Sequence, residues 1–339
     1  MPVLEMPSWG MVALALTQAI VMLALAPLAT GFNRVLRAKM HSRQGPGLLQ
    51  DYRDIAKLLR RQEVTPEPAG IIFNLMPALL IAALLLVGMA LPTLTHESPF
   101  PIAGDLITDI YLFAIFRFFF SLSGLDSGSM FAGIGARREL TLGILVEPIL
   151  VLACFIMAMM VGSSDLGNIS SYVATQPLAA PIATLLAGAA CAFAVFVEMG
   201  KLPFDCAEAE QELQEGPLTE YSGTGLALLK LSIGLKQLVV VQLFLVIFLP
   251  FGKAANWSLP ALIGAALILA CKLLVAFLLA GIIENAMART QFVRTHKLTR
   301  YGLGLALLAL LAYLVGSEPC SPAQQLFPIS PFPNAHSRT

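Results

Sequence analysis

No Cys-x-x-Cys pair occurs in this 339-residue chain: the five cysteines stand singly, and Cys154, Cys191 and Cys271 lie in apolar runs, where a free thiol behaves as a small hydrophobe. Nor do the four histidines, His41, His96, His296 and His336, fall at a spacing that holds zinc or haem. These gaps argue against a metal, cluster or haem held by this chain itself, so no cofactor of its own is expected. Charge is scarce as well, at 12% of residues, and Lys plus Arg equal Asp plus Glu at 21 each. Nothing in that balance suggests a nucleic-acid partner.

What fills the chain instead is apolar: 57% of residues are hydrophobic and the mean hydropathy is +0.79, outside the soluble globular range. Nearly charge-free runs long enough to cross ~30 Å of hydrocarbon recur along it. They predict an all-α polytopic membrane protein with about eight spans, at 8–30, 72–95, 105–124, 139–162, 181–201, 228–250, 258–283 and 299–316. The first run lacks a preceding Lys or Arg and reads as a retained span rather than a signal peptide. Residues 1–316 thus form one membrane domain. The tail 317–339 carries five prolines and no apolar periodicity, and reads as a disordered external segment.

Orientation follows from the Lys and Arg bias of short loops. Segment 31–71 holds Arg34, Arg37, Lys39, Arg43, Arg53, Lys57, Arg60 and Arg61, and 284–300 holds Arg289, Arg294, Lys297 and Arg300. Arg137, Arg138, Lys201 and Lys230 fall on the same side, against Lys253 and Arg338 on the other. Both termini are therefore expected on the outer, periplasmic side of a bacterial inner membrane.

The acidic segment 198–223, EMGKLPFDCAEAEQELQEGPLTEYSG, then faces the cytoplasm. Asp205, Glu208, Glu210, Glu212, Glu215 and Glu220 crowd into sixteen residues, with Lys201 and Lys230 as the basic neighbours in sequence. Each proton lost makes the next harder to lose, so such a cluster can load and release protons near neutral pH. A plainer reading is available: Asp205 begins D-x-x-E after Pro203 and could cap a short helix, with Gly216-Pro217 ending it. That helix would set Glu208, Glu212 and Glu215 on one face, where like charges cost about 0.2–0.5 kcal/mol per pair.

Ionisable groups inside spans mark pathways or paired sites. Five occur, alternating in sign on consecutive helices: Arg117, Glu147, Glu198, Lys236 and Lys272. At 1.5 Å per residue, Arg117, Glu147 and Lys236 lie ~10–12 Å below the cytoplasmic ends of their spans, and Lys272 nearer the midplane. Arg117, Glu147, Glu198 and Lys236 could thus meet in one layer beneath the acidic segment, although Glu198 is close enough to water to snorkel out. Asp105 and Asp109, at the outer end of the third span, read as boundary markers, with an exit route as the other possibility.

Two inner segments could receive a partner. GLDSGSMFAGIGARREL reads as a short loop rich in small residues, holding Asp126, Arg137, Arg138 and Glu139. In GPGLLQDYRDIAKLLRRQE, Leu48, Tyr52, Ile55 and Leu59 repeat opposite Asp51, Arg53, Asp54, Lys57 and Arg61, the pattern of a helix lying on the membrane surface. Its role is an anchor or a docking rim, for which Arg43, Arg53, Asp54, Lys57 and Arg137 are the candidates.

RQGPGLLQDYRDIAKLL, DLITDIYLFAIFRFFFSLSGLDSGSMFAGIGARRELTLGILVEP and the acidic segment together resemble the large membrane subunit of formate hydrogenlyase-type (group 4) membrane-bound hydrogenases, the hydrogenase 4 type among them. That family is homologous to subunit 1 of respiratory complex I, and the likeness runs to about residue 316. The resemblance implies a subunit joining a cytoplasmic hydrogenase arm to antiporter-like membrane subunits. The large and small hydrogenase subunits would supply the nickel-iron centre and iron-sulfur clusters. It further implies that the second to sixth spans are similar to half of an antiporter subunit and that the acidic segment begins a proton-related channel. Pro203, Phe204, Asp205, Glu208, Glu210, Glu212 and Glu220 to Gly223 match its motif, and Arg138 and Glu147 keep the separation of a matching Arg and Glu. Where complex I has Asn-Arg before the PFD element this chain has Gly200-Lys201-Leu202, and where it has Tyr before the fourth-span Glu this chain has Val146. Both departures favour the hydrogenase branch over a quinone chamber.

Four readings follow: a non-catalytic subunit coupling electron transfer in the arm to proton or ion movement, a purely structural anchor, a quinone-chamber subunit, or an autonomous transporter. The last would need two similar halves with matching broken helices, and the sequence shows no such repeat.

Overall fold

The computed structural model describes residues 9–101, 103–176, 180–206, 210–254, 259–288 and 292–316; Glu208 and the 317–339 tail fall outside them. Among the described residues there is no β-strand, only isolated bridges pairing Thr95 with Ala254 and Asp105 with Asp165. Eight helices are long and apolar enough to cross a membrane: α1 (Trp9–Met40), α3 (Ile71–Ala90), α4 (Leu106–Asp126), α5 (Met130–Val161), α7 (Pro181–Glu198), α9 (Gly223–Phe248), α10 (Leu259–Ala286) and α11 (Phe292–Gly316). The shorter α2 (Gln50–Leu59), α6 (Leu166–Thr175) and α8 (Glu210–Leu213) lie between them, with a 3-10 turn at Gly216–Glu220. The chain is an all-helical, multi-pass membrane protein.

Five spans close on one another. α3 packs on α4, α4 on α5, α5 on α7, α7 on α9, and α9 back on α3; α1 lies outside α3 and α9, and α11 outside α5 and α7. α9 is apolar on every side and is accordingly enclosed, 78% of its apolar window being buried against 22% for α10. The polar side chains it carries, Lys236, Gln237 and Gln242, therefore face the protein interior.

Several boundaries differ from the sequence reading: α3 ends at Ala90 rather than 95, and α9 and α11 begin at Gly223 and Phe292 rather than 228 and 299. α1 continues to Met40, and the expected inner loop at 125–138 is mostly helix, because α5 begins at Met130 and only residues 127–129 link it to α4. Gly124 takes up the close approach there: a Cβ on it would lie 3.0 Å from Ala132 O. Both α1 and α5 run 32 residues, or ~48 Å, well beyond the thickness of the hydrocarbon. α2 forms where the amphipathic pattern predicts it, against α1 and α9, with no fully buried residue.

The end of the acidic segment is stitched to its neighbours by the EYSG element. Tyr221 stacks on Phe73 at 4.0 Å between centroids and donates its hydroxyl to Phe73 O at 2.8 Å. Ser222 Oγ accepts from Val64 N and donates to Val64 O, at 2.7 and 2.9 Å. Gly223, at φ +50°, lies so close to the chain after α2 that a Cβ would stand 2.7 Å from Gln62 O.

At the opposite end of the bundle, Leu106 N donates to Ser164 O, Leu166 N to Gly104 O and Ala254 N to Leu94 O, joining three connections into one layer. Asp165 caps α6 by accepting from Asn168 N at 2.8 Å. In the α9–α10 connection, the Lys253 ammonium donates to the buried Ser170 hydroxyl, and burial, helped by the nearby Lys272 charge, pulls it down to about 7.

Two outcomes follow for stability. Tyr221→Phe keeps the stack and loses one hydrogen bond, costing about 1 kcal/mol, whereas Tyr221→Ala costs about 3 kcal/mol or more; thermal unfolding in detergent reads the difference. Because the folded Lys253 pKa is depressed, the unfolded chain binds more protons between about pH 7 and 10.5, so stability rises with pH across that window. Lys253→Met should flatten that part of the melting profile.

Candidate functional site

Inside the five-helix ring, carboxylates from two helices converge on one guanidinium. Arg117 of α4 reaches Glu147 Oε1 at 2.5 Å through Nη1, Glu198 Oε1 through Nη2 and Glu139 Oε1 at 3.4 Å through Nε. Lys236 of α9 closes the group, its Nζ 3.1 Å from Glu198 Oε2 and 3.7 Å from Glu139 Oε1. The side chains of Arg117 and Glu198 are 7% and 5% exposed, and Glu147, at 38%, is the open member. Glu198, which could have snorkelled, instead turns inward.

Isolated charges are expensive in such surroundings, and here each is offset by a partner in direct contact. The balance is uneven: three carboxylates face two cations. With every group ionised the cluster carries one negative charge more than its cations neutralise, so binding one proton brings it to neutrality. Backbone clearance is part of the design, since a Cβ on Gly143 would fall 2.4 Å from Arg117 Cδ and Nη1.

A cavity of about 60 Å³ adjoins the cluster, its wall shared by Arg117, Glu139, Glu198, Lys236, Asp205 and Cys206. That is room for a few waters, since one needs ~10–15 Å³ in this measure. Burial pushes the Cys206 thiol up to about 11, so it stays protonated near neutrality.

The acidic segment is less regular than its spacing predicts. The described helix spans only Glu210–Leu213, and Gln214 and Glu215 both take positive φ, at 53° and 71°. Two successive left-handed residues end the helix, so Glu212 and Glu215 share no helical face. Glu212 instead pairs with Arg138 of α5 at 2.6 Å, Glu220 ends the 3-10 turn half-buried, and Glu215 lines a cleft of about 270 Å³ with Arg34, Asp51, Asp54 and Lys230. Only the backbone of Glu210 is described, and Glu208 lies outside the described residues.

Lys272 stands apart. Its ammonium donates to Leu249 O and Phe251 O and sits over the Phe251 ring, capping the far end of α9 rather than joining Arg117. Its long side chain reaches the carbonyls left unpaired there. Of the docking candidates, Arg43, Arg53, Lys57 and Arg137 are exposed, while Asp54 is half-buried, accepting from Gln50 and lying 3.7 Å from Arg34.

Two enclosed acids were not picked out for such a role by sequence: Glu139 belongs to the cluster, and Glu284, near the end of α10, is held by Arg37 of α1. Asp109, in the first turn of α4, is fully buried. Helical phase could have found Glu139, which lies eight residues before Glu147 on the same helix.

Comparison with known proteins adds four findings. A family model described as NADH dehydrogenase matches residues 12–315. Hydrogenase-4 component C of Escherichia coli (strain K12) is 55% identical over 306 residues, covering 90% of this chain and 97% of that protein. Formate hydrogenlyase subunit 4 of the same organism is 51% identical over 299 residues, covering 88% and 97%. A chain in the structure of the membrane-bound sulfane sulfur reductase, an archaeal respiratory membrane complex, superposes with a TM-score of 0.80 at 23% identity over 91% of this chain and all of that one, which shows a shared fold. The eight spans, the ring around Arg117 and these matches together place the chain in the NADH dehydrogenase family of complex I subunit 1 type, in the branch of hydrogenase-4 component C and formate hydrogenlyase subunit 4.

Proposed function

We propose that this chain is the non-catalytic membrane subunit of a hydrogenase or formate hydrogenlyase-like complex in a bacterial inner membrane. Its acidic end faces the cytoplasm. There it anchors a nickel-iron hydrogenase arm, whose metal centre and iron-sulfur clusters reside in partner subunits, and it borders antiporter-like membrane subunits. Its own work is to link electron transfer in that arm to proton or ion movement.

The observation that carries this reading is the uneven ionic cluster beside a cavity whose wall includes Asp205. A proton entering from the acidic segment would meet a cavity with room for a few waters and then a group one charge short of neutrality. Reduction in the arm would shift the acidic segment or its field, and the Glu212–Arg138 contact at 2.6 Å ties that segment to the helix bearing Glu139 and Glu147. A pure anchor would need buried ion pairs only to hold helices together, and would have no use for an unmatched carboxylate.

The cleft walled by Arg34, Asp51, Asp54 and Lys230 supports a second reading. Beside it an apolar groove of about 270 Å³, formed by Leu25, Phe32, Leu238 and Phe277, opens between α1, α9 and α10. A polar cleft next to an apolar groove suits a quinone. Under that reading a photoreactive quinone analogue labels α1 or α2 and excess quinone protects; under the leading one, labelling is not protected.

Glu147→Gln and Glu139→Gln should each leave the complex assembled while ion movement per hydrogen evolved falls by roughly tenfold, equivalent to about one pKa unit at the cluster. Assembly and ion flux are measured on the same preparation. Lower yield with intact coupling would instead identify a structural anchor, in which membrane hydrogen bonds are worth about 0.6–1.7 kcal/mol each. Gly143→Ala removes no charge but drives a methyl into Arg117, so it should destabilise by about 1–3 kcal/mol and shift the same coupling ratio.

A further inference from the structure

Asp109 lies one turn inside α4, at the end of the bundle opposite the acidic segment. It is 0% exposed, and neither carboxyl oxygen has a hydrogen-bond partner among the described residues. A first-turn carboxylate ordinarily earns its place by accepting backbone N–H groups or by reaching water, and this one does neither.

Among the described residues no cation pairs with it; Lys253, in the third connection of the same layer, donates to the Ser170 hydroxyl instead. α3 carries no ionisable side chain, and α5 from Ile149 to Val161 carries only the buried thiol of Cys154. Of the connections joined to the start of α4, one supplies Asp105, His96 and Glu97, and the other Asp165, whose backbone bridges that of Asp105. With the Asp105 residue one turn before it on the same chain and apolar helices alongside, Asp109 is an enclosed acid that no protein group pairs with among the described residues.

The position is tied to the cluster by helical phase. Leu106, Asp109, Phe113, Phe116, Arg117 and Phe120 form the buried stripe of α4, with Asp109 and Arg117 eight residues apart, or ~12 Å along the axis. Phe113 and Phe116 occupy the stripe between them, and the Phe116 ring lies 5.2 Å from Lys236 Nζ, so it borders the cluster directly. Two buried polar sites thus share one helix face across an aromatic barrier.

We infer that Asp109 is a second proton-binding site of the helix ring, holding its proton on the far side of the Phe113 and Phe116 barrier and exchanging it with the far aqueous phase past Asp105 and Asp165. The carboxyl takes the proton from water and returns it to water; no other bond changes. Its place in a transmembrane route rests on the proton reading above, whereas its existence as an exchanging acid does not.

The test uses the intact complex in vesicles, read by infrared spectroscopy in H2O and D2O. Wild type should show a C=O stretch of a protonated carboxylic acid that shifts in D2O. Asp109→Asn, a neutral isostere, should remove it while assembly stays normal, and Asp109→Glu should displace it; should Asn disturb assembly, Glu carries the assignment. Ion movement per hydrogen evolved should fall by roughly a hundredfold in Asp109→Asn, the scale of losing a positioned proton donor. The inference is overturned by spectra that neither substitution alters, by a band that D2O leaves in place, or by an assembled Asp109→Asn complex with full ion movement. A wild-type complex that shows the exchanging band but moves no ions overturns the proposed function and keeps the site.

Discussion

The Arg117 guanidinium is the group on which the rest of this architecture turns. A lone cation in an apolar helix bundle is not tolerated, and a lone carboxylate is no better placed. By presenting a planar fork to Glu147, Glu198 and Glu139 at once, Arg117 lets α5 and α7 carry acids through the ring, and those acids in turn accommodate Lys236 on the most enclosed helix, α9. A lysine could not substitute for that geometry, because an ammonium presents no rigid fork. The small residue at Gly143 follows from the same demand, as does the water-sized space beside the cluster.

Spans and depth were legible in the sequence for a simple reason: a long charge-free run has few alternatives to crossing the bilayer, and helical rise converts residue number into depth. That is how Arg117, Glu147, Glu198 and Lys236 could be placed in one layer before their contacts were seen. The same logic failed where backbone conformation intervenes. Glu139 was read into a loop because the Gly- and Ser-rich stretch before it resembles turn chemistry, yet α5 starts at Met130 and turns Glu139 inward. Regular phase was assumed through Glu212 and Glu215, but two consecutive positive φ values interrupt it, and no composition signal announces them. Lys272 was given a midplane depth from its α-carbon, while its long side chain carries the charge to the end of α9.

Acidic residues next to a membrane invite an electrostatic account, but the contacts at EYSG are as much mechanical. Tyr221, Ser222 and Gly223 fasten the segment to α3 and to the chain after α2, while Glu212 fastens it to α5. The segment therefore touches three separate parts of the molecule at its water-facing end. A displacement of its described portion cannot stay local.

Pro148 follows Glu147 directly within the long helix α5. It has no N–H to return to the carbonyl four residues earlier, so the helix is weakest against bending at that point. Arg138, which holds Glu212 of the acidic segment, and the cluster residues Glu139 and Glu147 all lie on the Met130 side of that missing bond. The tie to the acidic segment and the ion pairs with Arg117 thus share one stretch of helix, bounded by the turn where its hydrogen-bond ladder is broken.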